Sequence, residues 1–262
     1  MKKQFLTFLL FTLTALLGLG ISVSAQSKCA VGDEDCKIDE ASDKIANDPS
    51  DQEAYYLRGK AYYRKGDYDS ALLDFDRYIA LRPTDKAYLA DGYVGRADAF
   101  RRKGSSDLAI SDYNMAITLA PKYTTAYMHR GLAYSDKKDY VSAIRDFNLG
   151  MKIDPSEPEL YYNRALVYQK QKNYDQAIVD YNKYISLNTD NKDYLADGYY
   201  NRGLAYENKG SFTAAVSDFT EAINLDPLMR SAYSERAAVY RKLGKVSLAI
   251  ADEAKAEKLK DQ

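Results

Sequence analysis

The 262-residue sequence contains no tryptophan, one histidine and two cysteines. A lone histidine, His129, excludes His-Glu-x-x-His metal pairs and completes no nucleophile–base set at a familiar spacing. No Gly-x-x-x-x-Gly-Lys-Ser/Thr phosphate loop occurs. Carboxylates are plentiful, but they fall on recurring positions, so paired or solvated faces explain them better than a glycosidase-like pair. No catalytic residue, metal ligand or cofactor is therefore expected, and the chain reads as non-enzymatic. Strong charge of either sign is also missing: 37 basic residues stand against 38 acidic ones. That balance leaves no electrostatic footprint for nucleic acid. The cysteines, Cys29 and Cys36, are not spaced as Cys-x-x-Cys, which argues against a redox or metal site.

A long apolar run is confined to the N-terminus. Lys2 and Lys3 precede apolar residues from Phe5 to Ile21, and Val23-Ser24-Ala25 offers small residues for cleavage after Ala25. Charged start, apolar middle and small-residue end define a secretory signal over residues 1–25. A retained membrane helix is the rival reading, because this run nearly spans a bilayer. Cleavage is favoured, which implies an exported protein, periplasmic or secreted, with no integral membrane span after signal removal. An oxidising compartment allows a Cys29–Cys36 disulfide, a local staple that is preferred over two free thiols. Residues 26–36 read as a flexible acidic leader. A short helix is expected over Lys37–Asn47, where Ile38, Ala41 and Ile45 share one face and Pro49 follows. It matches the second half of the unit described next and reads as a capping helix.

What the chain has in abundance is tyrosine, 25 residues, and repetition. Glu53 to Pro83 reads EAYYLRGKAYYRKGDYDSALLDFDRYIALRP, and the rest restates it. Tyr55, Gly59 and Tyr62 lie on one helical face; Ala71, Phe75, Tyr78 and Ile79 lie on a second. Gly66-Asp67 turns the chain between them, which makes a helical hairpin. Repeats begin at residues 52, 90, 124, 158, 196 and 230, with steps of 34 or 38 residues. Repetition of this kind implies stacked units, each unable to bury its apolar face alone.

The period and the small/aromatic pattern resemble the tetratricopeptide repeat family over about residues 52–260. Position 4 is Tyr55, Tyr93, Tyr127, Tyr161, Tyr199 and Tyr233. Position 8 is Gly59, Ala97, Gly131, Ala165, Gly203 and Ala237. Position 20 is Ala71, Ala109, Ala143, Ala177, Ala215 and Ala249. The resemblance implies an all-α right-handed α-solenoid of six helical hairpins, with residues 26–51 carrying the cap and 52–262 the array. It also implies a scaffold that holds a protein or peptide partner in a concave groove lined by the first helices. Carried over position by position, that groove presents Tyr56, Lys60, Val94, Arg101, Met128, His129, Leu132, Tyr162, Asn163, Leu166, Tyr200, Asn201 and Leu204. The Lys/Asn pattern with which some members clamp a terminal carboxylate is missing: Tyr56, Lys60, Gly95, Thr125 and His129 stand there. An envelope assembly or export subunit and a self-associating homo-oligomer remain alternative readings.

Two departures from the family stand out. Position 7, usually leucine, is Arg58, Arg96, Arg130, Arg164, Arg202 and Arg236, while position 23 is Asp74, Asp112, Asp146, Asp180, Asp218 and Asp252. In an antiparallel hairpin these stand at similar heights, so structural Arg–Asp pairs are expected, within a repeat or between neighbours. The second departure is the 38-residue step, found only after repeats 1 and 4. There Tyr78 and Tyr184, 106 residues apart, replace a small residue. A three-repeat unit, 52–157, has therefore been duplicated as 158–262. The extra four residues predict a first helix longer by one turn, at Asp85 and Asn191, with Thr84 and Asp190 as N-caps. In repeat 6, Glu253 and Glu257 replace an aromatic and an aliphatic, as a terminal cap requires.

Overall fold

The periodic pattern resolves into helices joined by two kinds of short connection. The computed structural model describes residues 29–188 and 190–261; the signal expected over residues 1–25 lies outside the described residues. A first helix, α1 (Glu34–Asn47), precedes six hairpins. They are α2 (Gln52–Lys65) with α3 (Tyr68–Ala80), α4 (Lys86–Arg102) with α5 (Ser106–Leu119), and α6 (Thr124–Asp136) with α7 (Tyr140–Ile153). The second unit has α8 (Pro158–Lys170) with α9 (Tyr174–Leu187), α10 (Lys192–Lys209) with α11 (Phe212–Leu225), and α12 (Arg230–Lys242) with α13 (Val246–Lys258). Each helix packs on its neighbours in sequence, and α2 also touches α4, α4 touches α6, and α6 touches α8. This is a solenoid whose first helices line one face. Among the described residues no helix is long and apolar enough to cross a membrane.

The helix boundaries correct three expectations. The capping helix begins at Glu34 rather than Lys37, because the Asp33 side chain accepts from the Cys36 amide and starts it early. Cys29 and Cys36 are disulfide-bonded, so the end of the expected flexible leader is fastened to the first turn of α1. The long helices α4 and α10 do carry an extra turn, but their N-caps are Asp85 and Asn191, not Thr84 and Asp190. The Asp85 side chain accepts from the Ala87 amide, and Asn191 accepts from Asp193 and Tyr194. The last α-helix ends at Lys258, and a 3-10 turn, Leu259–Asp261, follows.

The turn inside each hairpin needs one residue in the left-handed region. Gly66, Gly104, Gly210 and Gly244 supply it with φ of 84°, 80°, 84° and 73°. Repeats 3 and 4 place Lys138 and Lys172 there, at φ 62° and 59°, which costs a side chain more than glycine.

Inside the first five hairpins an aromatic at position 24 fills the space that small residues leave. Phe75, Tyr113, Phe147, Tyr181 and Phe219 are almost fully buried. A Cβ on Gly131 would lie 2.7 Å from the Phe147 ring, and one on Gly203 would lie 2.7 Å from Phe219. Between hairpins a second size rule holds, at position 27 of one repeat and position 3 of the next. The two join as Tyr78 with Gly92, Gly150 with Leu160, and Tyr184 with Gly198. At the other two junctions Ala116 shares a core with Ala126, and Ala222 with Ala232. Large meets nothing, or small meets small, so the stacking distance stays close to constant.

The seam between the two three-repeat units carries a titratable feature. Glu157 precedes α8 and is pushed up to about 7 by a hydrogen bond shared with Glu159, then by burial and by repulsion from Glu159 and Asp154. A carboxyl with a raised folded-state pKa favours folding below its ordinary value and loses that contribution as pH climbs through 7. Melting temperatures of the wild-type chain should therefore fall slightly between pH 5 and pH 8 relative to Glu157→Gln. The difference should be only about 1–2 °C, because the pair is only partly buried. Parallel pH profiles for the two proteins would count against it.

Candidate functional site

The groove is held in shape by a repeated arginine. In every hairpin the position-7 guanidinium grips the position-23 carboxylate with two hydrogen bonds, from Nε and Nη2. They are 2.8 and 2.8 Å for Arg58–Asp74, 2.7 and 2.8 Å for Arg96–Asp112 and for Arg130–Asp146. They are 2.7 and 2.6 Å for Arg164–Asp180, and 2.8 and 2.8 Å for Arg202–Asp218 and for Arg236–Asp252. The remaining nitrogen, Nη1, reaches back to position 25 of the preceding repeat. Arg96 finds Asp76 at 2.6 Å, Arg130 finds Asn114 at 2.5 Å, and Arg164 finds Asn148. Arg202 meets Asn182 at 2.6 Å and Arg236 meets Thr220 Oγ1 at 2.9 Å. Arg58 has no preceding repeat, and its Nη1 donates to Ser42 of α1 at 3.1 Å. The capping helix thus stands in the register of a second helix. The pairs are both within a repeat and between neighbours, where the sequence left a choice.

Tyrosine at position 4 covers most of these guanidinium groups. Arg58, Arg96, Arg130, Arg202 and Arg236 lie 5.7, 5.5, 5.6, 5.1 and 5.7 Å from the rings of Tyr55, Tyr93, Tyr127, Tyr199 and Tyr233. The aspartates are buried, Asp146 completely. At Asp180 burial pushes the carboxyl up despite the Arg164 hydrogen bond, so desolvation outweighs the pairing there. With its donors satisfied inside the array, each arginine acts as a clip rather than a ligand contact.

A second inter-repeat tie lies at the outer ends of the first helices. Lys65 meets Asp35, Lys103 meets Asp69, Lys137 meets Asp107, and Lys209 meets Asp175. At the junctions of repeats 3–4 and 5–6 both partners are absent, replaced by Val141 with Gln171 and Thr213 with Leu243. Such exposed pairs contribute little stability each.

The first unit shapes a cleft of about 210 Å³ between α2 and α4. Tyr56, Lys60, Tyr63 and Arg64 form one wall; Asp91, Val94, Gly95 and Asp98 form the other, with Phe75 and Tyr123 also lining it. Tyr56 packs on Phe75 and Tyr78, with ring centroids 6.0 and 5.2 Å apart. Lys60 Nζ lies 5.2 Å above the Tyr56 ring. The Tyr123 hydroxyl donates to Asp91 at 2.5 Å, and the Tyr113 hydroxyl donates to Asp98 at 2.5 Å. His129 Nδ1 lies 2.8 Å from the same Asp98 oxygen. Arg101 donates to Asp136 at 3.2 Å. A larger, more open hollow of about 570 Å³ continues beyond Tyr123, lined by Ala87, Asp91, Ala120, Pro121 and Lys122.

The second unit is filled differently. Tyr162 packs on Tyr181 and Tyr184, 5.8 and 5.0 Å between centroids, and its hydroxyl accepts from Asn201 at 3.1 Å. Tyr200 leans on Phe219 at 5.9 Å, and Leu204 packs in the same cluster. Leu166 and Asn163 are half-buried on α8. In the middle of the array Met128 and Leu132 pack against Phe147 and Leu160. Val94 is buried.

The structure brings Tyr56, Lys60 and Val94 into one cleft and gathers Tyr162 with Asn201, and Tyr200 with Leu204, in the second unit. It places Met128 and Leu132 as much in the core as in the groove. Six residues of the cleft region escaped sequence reasoning: Tyr63, Arg64, Asp91, Asp98, Tyr113 and Tyr123. Asp98 occupies position 9, a groove position in the pattern, and could have been found there. Tyr123 lies in the connection before α6, where the repeat pattern gives no signal. Among the described residues no cluster of histidine, cysteine and carboxylate side chains is placed to hold a metal ion.

Stacked antiparallel hairpins with a lined inner face define an α-solenoid. Sequence models of the tetratricopeptide repeat match residues 53–85, 158–191 and 196–227, and a second such model matches 94–158. Together they cover more than half of the chain, which belongs to the tetratricopeptide repeat family. Solved structures agree on the fold. A chain of the APC/C hetero-tetramer Cut9-Hcn1 superposes with a TM-score of 0.70 at 18% identity over 87% of this chain. This chain spans only 44% of that one. A tetratricopeptide repeat protein from Parabacteroides merdae gives 0.65 at 20% identity, covering 87% of this chain and 88% of its own. MamA from Desulfovibrio magneticus gives 0.60 at 21% identity, covering 68% and 96%. No curated protein matches.

Proposed function

We propose that this protein is a non-catalytic interaction scaffold that holds a protein or peptide in the groove formed by its first helices. The observation that carries the reading is the half-exposed aromatic and aliphatic stripe of Tyr162, Leu166, Tyr200 and Leu204, set beside polar edges such as Asn163 and Asn201. A surface of this kind suits an extended or helical peptide. Tetratricopeptide repeat proteins bind protein partners, which supports the coarse assignment. Export through the leader at residues 1–25 belongs to the same proposal and would place the partner in the cell envelope or outside it.

The test is a crosslinking pull-down from the native envelope with the wild-type chain and Tyr162→Ala/Tyr200→Ala. Recovery of the specific partner should fall at least about tenfold, the loss of one well-buried aromatic anchor being enough for that. Circular dichroism melts must run alongside, because Tyr162 also braces Tyr181 and Tyr184. An unchanged set of partners at unchanged folding would reject the groove.

A further inference from the structure

The cleft of the first unit differs from its counterpart in charge, and the difference is coordinated. Lys60 and Asp98 face each other across it, and the equivalent positions of the second unit are Leu166 and Leu204. Tyr113, which donates to Asp98, becomes Phe219, which has no hydroxyl to place. Gly95 becomes Asn201, whose amide bonds Tyr162 and helps to close the second cleft. At Gly95 the first cleft has no side chain to bond across it, and the Phe75 ring fills the place a Cβ would take, 2.6 Å away.

The charges in the first cleft are held in place but not cancelled. Among the described residues Lys60 forms no ion pair, and Arg64 has only a long contact of 3.6 Å with Glu34. Among the described residues neither Asp91 nor Asp98, on the opposite wall, has a lysine or arginine within ion-pair distance. Neutral hydroxyls from Tyr123 and Tyr113 hold them, with His129 beside Asp98. Their field is felt across the cleft: Tyr56 is pushed up to about 12 by burial first, then by Asp91 and Asp98. A purely acidic guest would meet two carboxylates, and a purely basic one would meet Lys60 and Arg64. A guest that carries both signs satisfies both walls, and the walls need no rearrangement to receive it.

We propose that this cleft takes a short stretch of partner polypeptide in which an acidic and a basic side chain are adjacent. The acidic side chain lies against Lys60 and Arg64, the basic one against Asp91 and Asp98. This rests on the groove reading above and adds a second, charge-selective subsite to the apolar one in repeats 4 and 5.

Selection of random decapeptides displayed on phage, against the purified full chain, tests it. The comparison variant is Lys60→Leu/Asp98→Leu/Tyr113→Phe. These are the residues of the second unit at the equivalent positions, so the fold accepts them. Wild-type selections should enrich adjacent opposite charges about fivefold over input, and the variant, which keeps only Arg64 and Asp91 of the four charges, should lower that enrichment to about twofold or less. Enrichment of apolar residues, owed to Tyr162, Leu166, Tyr200 and Leu204, should persist in both. Apolar enrichment without charge pairs in the wild type, or equal charge-pair enrichment in the variant, overturns the cleft proposal and leaves the groove standing. Recovery of no peptide preference of either kind rejects the groove itself, and the cleft with it.

Discussion

Arg130→Leu should destabilise the array by about 3–5 kcal/mol, the usual cost of leaving a buried carboxylate without its partner. Asp146 is fully buried and takes both of its strong hydrogen bonds from Arg130. Asp146→Leu should cost a similar amount, since the guanidinium would be left in a low-polarity slot. The double variant should recover at least half of the summed loss, because an apolar pair of similar volume removes both stranded charges. Chemical denaturation followed by circular dichroism measures the cycle, and hydrogen exchange should place the weakening in α6, α7 and their neighbours. Strict additivity of the two single changes would show that the pair contributes nothing as a pair. Asn114→Ala, which removes only the backward contact of Arg130, should cost much less, about 1 kcal/mol.

The second large effect concerns a glycine. Gly92→Ala puts a methyl group 2.5 Å from the Tyr78 ring, and Tyr78 is held by the Tyr56 ring and by its hydroxyl bond to the Tyr88 carbonyl. Overpacking of this kind costs about 1–3 kcal/mol. Tyr78→Ala alone should cost about 3–5 kcal/mol through the cavity it leaves. In the Tyr78→Ala background the sign of the glycine change reverses. The added methyl then fills part of that cavity, alanine outranks glycine in a helix by about 1 kcal/mol, and the junction becomes the alanine pair already used at Ala116 and Ala126. Gly92→Ala should thus destabilise the wild type and stabilise the Tyr78→Ala protein. The same sign in both backgrounds would mean that the two positions do not share one space.

These effects show where sequence reasoning reached and where it stopped. The hairpins and the short helix ahead of them were legible, because each rests on spacing that repeats. The partnership of Arg58 with Asp74 followed from height in an antiparallel hairpin. The backward contact to Ser42 did not, because it depends on how one hairpin stacks on the next. Tyr78 was legible as bulky, but not the glycine that receives it: Gly92 and Tyr78 meet only once the junction is built. The groove was legible as a set of positions and not as two different surfaces. Met128 and Leu132 share positions with Tyr56 and Lys60, yet core packing claims much of their surface. Tyr123 stands in a connection, outside any periodic signal, and still fixes Asp91. The N-caps missed by one residue, since Thr84 and Asp85, or Asp190 and Asn191, are each competent and only geometry selects between them.

The backward contact of the arginine has a consequence for how such a chain can grow. Each clip needs an oxygen two places after the aspartate of the copy before it. Asp76, Asn114, Asn148, Asn182 and Thr220 provide that oxygen, and Ser42 provides it at the front. The boundary between the two three-repeat stretches joins Asn148 to Arg164 and orphans no donor. Whole copies can therefore be spliced in or out wherever donor and acceptor travel in matching order, and cuts inside a copy cannot. The sixth copy holds Ala254 at that place, which offers no oxygen. A seventh arginine-bearing copy grafted there would leave one nitrogen unserved until Ala254 was changed to asparagine.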